Sequence, residues 1–338
     1  MSSTQKTILY TCVGGEYSPY VLQSLKDSKY EIITIGIDND PNATGQYFCN
    51  FFYESPLGNS KNYIKFISEI CKKHSVDFII PTSDEEAVAL SNAAHNLMPT
   101  RVLAVNKETV KIFASKADTF RALEKHKLPH PKWQIANNID EALDSIYEFI
   151  STLGSVVVKP SSSRGSRNVY QYGLNKSMND EDIKKILEVA KIELQKAGKI
   201  FPLIAMEQLY GPVHDIDMLA FKGQPIGVFP RRRVNSDKPN EGHILLNNKK
   251  FIDLGCEIIK KFNLSWLYDC DFMFNTHGEP TIIEINPRQS GSIAVVLASG
   301  YKLMDALIDL AINNETKLNT KIPEKEIKII PYKNLFIA

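Results

Sequence analysis

Over its first hundred residues the chain alternates strand-like and helix-like segments, and few topologies accommodate that pattern. Residues 7–13 read as a strand, 19–28 as a helix, and 31–37 as a second strand ending at Asp38. A helix over 61–73, a strand over 77–81, a helix over 84–96 and a strand over 101–105 follow. Strands separated by helices of this length predict a parallel, doubly wound sheet. Ligands of such sheets sit at the carboxyl ends of the strands, where Thr82-Ser83-Asp84-Glu85-Glu86 lies. That segment reads either as the edge of a substrate pocket or as a helix cap with acids in the first turn.

Gly14-Gly15 after the first strand, with Asp38 after the second, matches part of a dinucleotide-binding pattern. The third glycine is absent, and Glu16-Tyr17 would crowd a pyrophosphate, so plain tight turns are the better reading. The 338 residues suffice for two or three subdomains. With 40 basic and 39 acidic residues the net charge is +1, which provides no global field for nucleic acid. The five cysteines (Cys12, Cys49, Cys71, Cys256, Cys270) lack metal or redox spacing and read as reduced, mostly buried thiols. No segment is long and apolar enough to span a bilayer. Residues 1–6 run directly into a strand, which predicts no signal peptide and a cytoplasmic protein.

The chemistry-bearing residues come later. Ser115 reads as the cap of a helix running to Lys127, and a long amphipathic helix covers 139–153. A β run then closes on Lys159, an expensive place for an ammonium without an anion nearby. Ser161-Ser162-Ser163-Arg164-Gly165-Ser166-Arg167-Asn168 follows, rich in hydroxyls and backbone donors, with two guanidiniums. Such loops cradle phosphates, although the same composition serves a solvated hairpin tip, and Val169-Tyr170-Gln171-Tyr172 reads as the returning strand. Near the C-terminus, residues 270–274 and 281–285 are apolar runs separated by the turn Thr276-His277-Gly278-Glu279-Pro280. A hairpin there brings Asp271 and Glu284 onto neighbouring strands, and Glu284 between Ile283 and Ile285 needs a partner. Hard oxygen ligands of this kind suit Mg²⁺ carrying a nucleotide's phosphates. In Phe229-Pro230-Arg231-Arg232-Arg233-Val234 an extended backbone places Arg231 and Arg233 on one face and Arg232 on the other. Residues 236–242 read as a mobile loop, and His243 as an incidental loop histidine.

In order, these segments resemble the ATP-grasp superfamily, most closely carbamoyl-phosphate-synthetase-like stand-alone ligases with a preceding α/β domain. Residues 159–169 resemble that family's Lys-Pro and glycine-rich loop, with Ser163 and Asn168 replacing glycines. Met206-Glu207-Gln208-Leu209-Tyr210-Gly211 resembles its interdomain hinge, and Ser115-Lys116-Ala117-Asp118 the helix start carrying a phosphate-contacting base. Asp269-Cys270-Asp271 and Glu284-Ile285-Asn286-Pro287-Arg288 resemble its metal-binding strands. The resemblance implies α/β and α+β architecture: a parallel doubly wound pre-ATP-grasp domain (1–112), then an ATP-grasp N-terminal lobe (113–205) and C-terminal lobe with the metal site (206–338).

It also implies roles. Lys116 and Lys159 would neutralise ATP's phosphates, and Ser163, Arg164, Gly165 and Ser166 would close over them. Glu207 would accept from the adenine amine, with Gln208 and Leu209 beside it and Leu209 offering backbone contacts. His214 or Asp215 would take the ribose. Asp271, Glu284 and Asn286 would hold one or two Mg²⁺, with Mn²⁺ as the alternative. Arg288 would stabilise the phosphoryl group in flight, and Arg231 or Arg233 would meet an acyl phosphate or a substrate carboxylate. The implied reaction joins a small-molecule carboxylate to an amine with release of ADP and phosphate, in a protein that binds neither nucleic acid nor membrane and forms a homodimer. A phosphotransferase of the same fold and a non-catalytic nucleotide-binding protein are the competing readings.

Overall fold

The computed structural model describes residues 5–104, 106–162, 168–173, 178–198, 200–318 and 325–332. The chain divides into two compact units, one of residues 1–111, 212–271 and 285–338, the other of 112–211 and 272–284. Residues 206–338, expected as a single lobe, are thus distributed over both.

The first unit opens with β1 (Lys6–Tyr10), α1 (Ser18–Lys26), β2 (Ile32–Asp38), β3 (Phe51–Glu54), α2 (Tyr63–His74), β4 (Phe78–Ile80), α3 (Asp84–Ala93), β5 (Arg101–Val102) and α4 (Lys107–Phe113). Its sheet has the order β3-β2-β1-β4-β5, and every adjacent pair is parallel. Period-two alternation sends neighbouring residues of β1 into different cores. Ile8 and Tyr10 pack with Val21 and Leu22 of α1, while Leu9 joins Ile35, Ile37, Ile67 and Ile70. Gly14 serves a tight turn: its N–H donates to Asp38 Oδ2 at 2.7 Å, and a Cβ there would sit 2.9 Å from that oxygen.

The second unit contains α5 (Lys116–Lys125), β6 (Trp133–Ala136), α6 (Ile139–Leu153), β7 (Ser155–Pro160), β8 (Tyr170–Gly173), α7 (Asp180–Ala197) and β9 (Leu203–Met206). These strands form an antiparallel sheet in the order β6-β9-β7-β8. α6 spans the residues its periodicity predicts, burying Ala142, Ile146, Phe149 and Ile150 on one face. Asn138 caps it by accepting from Glu141 N, and Glu141 Oε2 in turn accepts from Asn137 N at 2.8 Å. Val156 and Val158 are fully buried against these helices. Alternation turns Lys159 to the opposite side of the sheet.

Past residue 209 the chain forms β10 (Tyr210–Phe221), β11 (Gln224–Arg233), β12 (His243–Leu245), α8 (Lys249–Lys261), β13 (Trp266–Phe274), β14 (Pro280–Asn286), α9 (Ala294–Ala298), α10 (Leu303–Asn313) and β15 (Ile327–Ile329). Their sheet has the order β14-β13-β10-β11-β12-β15, so the hairpin carrying Asp271 and Glu284 exists. One face packs on α8, where Gly255 lies against Val228, Ile216 and Met218. On the other face Leu219, Phe229 and Leu267 enter the same core as Ile8 and Tyr10, together with Val296 and Leu307 of α9 and α10. Further along that face the apolar residues give way to charge, and this is where the site begins. Among the described residues no helix is long and apolar enough to cross a membrane.

The α6 cap provides a local check on this packing. Asn138→Ala should lower unfolding free energy by about 1 kcal/mol, measured as a shifted urea midpoint with an unchanged slope.

Candidate functional site

In the second unit α5 begins at Lys116 because Ser115 accepts from Asp118 N. Lys116 N donates to Ser161 O at 2.9 Å, and the Ser115 and Ser161 hydroxyls lie 3.3 Å apart. The start of α5 is therefore stitched to the end of β7. Lys159 is buried, with its ammonium 5.8 Å from the centroid of Phe120, one helical turn beyond Lys116. Lys116 Nζ lies 3.3 Å from Glu284 Oε2. The acid that an apolar strand could not leave alone thus meets a lysine expected at a nucleotide's phosphates.

The expected hinge is a break in regular structure between β9 and β10. Glu207 N donates to Lys132 O at 3.0 Å, and Glu207 Oε1 accepts from Lys132 N at 2.8 Å. One carboxylate oxygen, expected at an adenine amine, is thus engaged by backbone. A cleft of about 310 Å³ opens beside it, lined by Glu207, Gln208, Tyr210, Lys132, Ser155 and His277 among others. Leu209 is buried. Ser163, Arg164, Gly165 and Ser166 lie outside the described residues. Asn168, which follows them, has φ +54°, the left-handed region its glycine-like place requires.

In the first unit the charged face is built from period-two pairs on adjacent strands. Asp215 and Asp217 project from β10, Arg231 and Arg233 from β11, and Asp269 and Asp271 from β13. Arg231 is 0% exposed. Its Nε donates to Asp217 Oδ2 at 2.6 Å, and Nη1 approaches His243 Nδ1 at 2.8 Å and Asp215 Oδ2 at 3.2 Å. Its Nη2 lies 3.7 Å from Asp269 Oδ1. Expected to meet a substrate, Arg231 is instead enclosed by carboxylates. Arg233 lies nearer solvent, its Nη2 2.5 Å from Asp215 Oδ1 and 2.7 Å from Asp271 Oδ2. The shared partner Asp215 puts both arginines on one face, as the alternation predicts.

This enclosure sets the ionisation states. Burial would push Asp215 up, but the charges of Arg231 and Arg233 hold it below the usual carboxylate range. Burial, reinforced by Asp217 and Asp215, pushes Asp269 up to about 7. Asn286 donates from Nδ2 to Asp269 Oδ2 at 3.2 Å, which turns its carbonyl oxygen the other way. Arg288 Nε pairs with Asp84 Oδ1 at 2.9 Å, and Nη1 donates to Gln289 O.

Several residues sit apart from their expected surroundings. His214 faces α8 rather than the charged face; its Nδ1 is 2.8 Å from Pro212 O and its ring packs edge-on to Phe251. Asp215, the other ribose candidate, is 1% exposed and occupied by the two guanidiniums. His243 is not a loop residue: it opens β12, is 0% exposed and approaches both Arg231 and Pro239 O. Ser83 caps α3, and Glu86 is buried, accepting from Thr11, Cys12, Tyr63 and Ser83. All five cysteines are free, Cys71 and Cys270 buried and the others part-exposed. Asp217 was given no role from the sequence, and Asp269 entered only through the segment resembling metal-binding strands. Their signal was the repeated Asp-x-Asp and Arg-x-Arg spacing in three extended segments.

Comparison with known proteins bears on the fold. Residues 199–333 match a family model described as ATP-grasp in the biosynthetic pathway with Ter operon, and residues 8–123 match the PylC-like N-terminal domain. The fold is ATP-grasp, preceded by a PylC-like α/β domain. No curated protein matches the chain in sequence. Among solved structures, the biotin carboxylase domain of Hydrogenobacter thermophilus 2-oxoglutarate carboxylase, in complex with MgADP, ADP and bicarbonate, superposes with TM-score 0.70. It is 18% identical over 92% of this chain and 70% of its own. N5-carboxyaminoimidazole synthetase from Staphylococcus aureus with ADP gives TM-score 0.69 at 13% identity, covering 94% and 80%. An L-amino acid ligase from Bacillus licheniformis gives 0.66 at 13%, covering 91% and 74%.

His243 offers a pH test of the buried network. Burial, with Arg231 adding to it, lowers its pKa to about 4, against roughly 6.5 in an unfolded chain. Between those values the unfolded state binds the extra proton. The stability this residue contributes is therefore full above about pH 6.5 and is lost as pH falls toward 4, by up to about 3 kcal/mol. His243→Asn should be destabilised at pH 7, and its deficit relative to wild type should shrink steadily in urea titrations taken from pH 7 to 4.5.

Proposed function

We propose that the protein is an ATP-dependent carboxylate–amine ligase. The observation that carries this reading is the Lys116–Glu284 pair, 3.3 Å apart, between the lysine expected at the phosphates and an acid expected at the metal. The structural relatives support it, since their descriptions include a carboxylase domain with MgADP and bicarbonate and an L-amino acid ligase.

In this reading the cleft beside Glu207, Gln208 and Tyr210 takes the base, and Lys116 and Lys159 take the phosphates. The donor set fits Mg²⁺: two carboxylates and a carboxamide oxygen are hard ligands, and Asp271 and Glu284 already attract cations, namely Arg233 and Lys116. Asp271, Glu284 and Asn286 would hold the ion, which supplies charge neutralisation at the transferring phosphoryl group when bound. Arg288, anchored by Asp84, would present a fixed positive charge to the same group.

A carboxylate oxygen attacks the γ-phosphorus, the bond to the β-phosphate oxygen breaks, and ADP leaves. The amine then attacks the acyl carbon, phosphate departs with the carbon–oxygen bonding pair, and the amine proton passes to solvent or base. Phosphate is the better leaving group, so one hard step becomes two easier ones. Mn²⁺ as a substitute ion, a homodimer and a cytoplasmic location are parts of the same proposal. One relative is described as a domain dimer.

The decisive experiment is ADP and phosphate release from a panel of acids and amines. Release should require both partners, and protein that binds MgATP but shows no such dependence would reject the ligase. A stable phosphorylated product with no amine requirement would favour a phosphotransferase. Glu284→Gln should keep ATP affinity within a few-fold while turnover falls about 100-fold or more. Lys159→Ala should weaken MgATP binding roughly tenfold to a hundredfold in calorimetry; unchanged affinity would remove Lys159 from the phosphate site.

A further inference from the structure

Arg233 occupies an unexpected place for a residue meant to meet a substrate. Its Nη2 forks between Asp215 Oδ1 at 2.5 Å and Asp271 Oδ2 at 2.7 Å, while Nε holds both Asp215 oxygens at 3.1 and 3.2 Å. Asp215 is nearly inaccessible, with 2% of its side chain exposed, whereas Arg233 and Asp271 keep 16% and 13%. The anchor end of this bridge is thus fixed, and the Asp271 end reaches toward solvent. A divalent ion on the same Asp271 oxygen would sit about 2.1 Å from it, roughly 4 Å from the guanidinium nitrogen, where two like charges repel. Arg233 and a metal ion therefore compete for the charge of Asp271. In the other unit Glu284 holds the Lys116 ammonium in the same manner.

We propose that Arg233 is a positioning residue that holds the place of the divalent cation on Asp271 and yields it only to a cation arriving with a nucleotide's polyphosphate. The inference rests on the assignment of Asp271 as a metal ligand. The negative charge of the polyphosphate offsets the guanidinium's repulsion of the metal. The bonds from Nε to Asp215 let Nη2 leave Asp271 without Arg233 losing its anchor. Without nucleotide the bare ion competes against a guanidinium already in position, and binds weakly. The order of binding is set by a side chain.

The test is Mn²⁺ binding to the full chain, read by electron paramagnetic resonance of the free ion, with and without ADP. Wild type should bind Mn²⁺ weakly alone and tightly with ADP. Arg233→Met should bind Mn²⁺ at least tenfold more tightly than wild type without nucleotide, and the gain should vanish in the Arg233→Met/Asp271→Asn double variant. Arg233→Lys, which keeps a cation, should resemble wild type. If Arg233→Met does not fold, Arg233→Gln, neutral but still a donor to Asp215, serves in its place. No gain in nucleotide-free affinity, in a variant that still binds Mn-ADP, would overturn the place-holding role and leave the ligase reading intact. Wild type that fails to bind Mn-ADP at all would overturn both.

Discussion

The organising interaction of the larger sheet is a guanidinium that never reaches water. Arg231 is enclosed by Asp215, Asp217, Asp269 and His243. Desolvating such a charge costs several kcal/mol, recovered only where partners are close and well aligned. The four partners come from β10, β12 and β13, so the requirement to surround one cation fixes the relative placement of three strands around β11. Asp271 shares its face of β13 with Asp269, and Asn286 bonds to Asp269. Two of the three proposed metal ligands are therefore oriented by a cation that touches neither.

Such a cluster is a poor way to gain stability, since apolar residues of equal volume often do as well or better. Its worth here is positional. Removing one member leaves buried charges without balance, so the strands are held to one register by penalty rather than by attraction. The same enclosure explains the divergent protonation tendencies of neighbours. Asp215, between two arginines, is held ionised, whereas Asp269, through burial first and the neighbouring Asp217 and Asp215 second, is pushed toward its neutral form. One face of a sheet thus contains carboxylates of opposite behaviour a few ångströms apart.

Legibility from sequence followed the physics of each segment. The parallel sheet and α6 were visible because apolar periodicity and caps are local signals, and α6 keeps its predicted bounds. β3 was missed because its four residues follow a turn-rich stretch and lie at the sheet edge. Glu284 was legible through its cost, an acid flanked by isoleucines. Arg231 was expected at a substrate for the complementary reason: nothing local in three consecutive arginines says that one is fully buried. Its partners lie 16 residues or fewer before it on β10 and 38 after it on β13, a separation that only strand pairing closes. His243 suffered likewise, since a histidine after a turn gives no sign of the guanidinium it faces.

That distribution bears on where the chemistry can be adjusted. The residues that grip the proposed phosphates, Lys116 and Lys159, hang from a helix start and a strand end tied by Ser115 and Ser161. The arginine pair hangs from one strand, but its members differ in access, Arg231 sealed and Arg233 partly open. A sealed guanidinium can only hold geometry, because moving it would strand at least three carboxylates. A partly open one with a fixed anchor can exchange partners at small cost. Period-two alternation therefore yields two arginines of identical chemistry and different access, the inner one enclosed among the strands and the outer one bridging a sealed carboxylate and a partly open one.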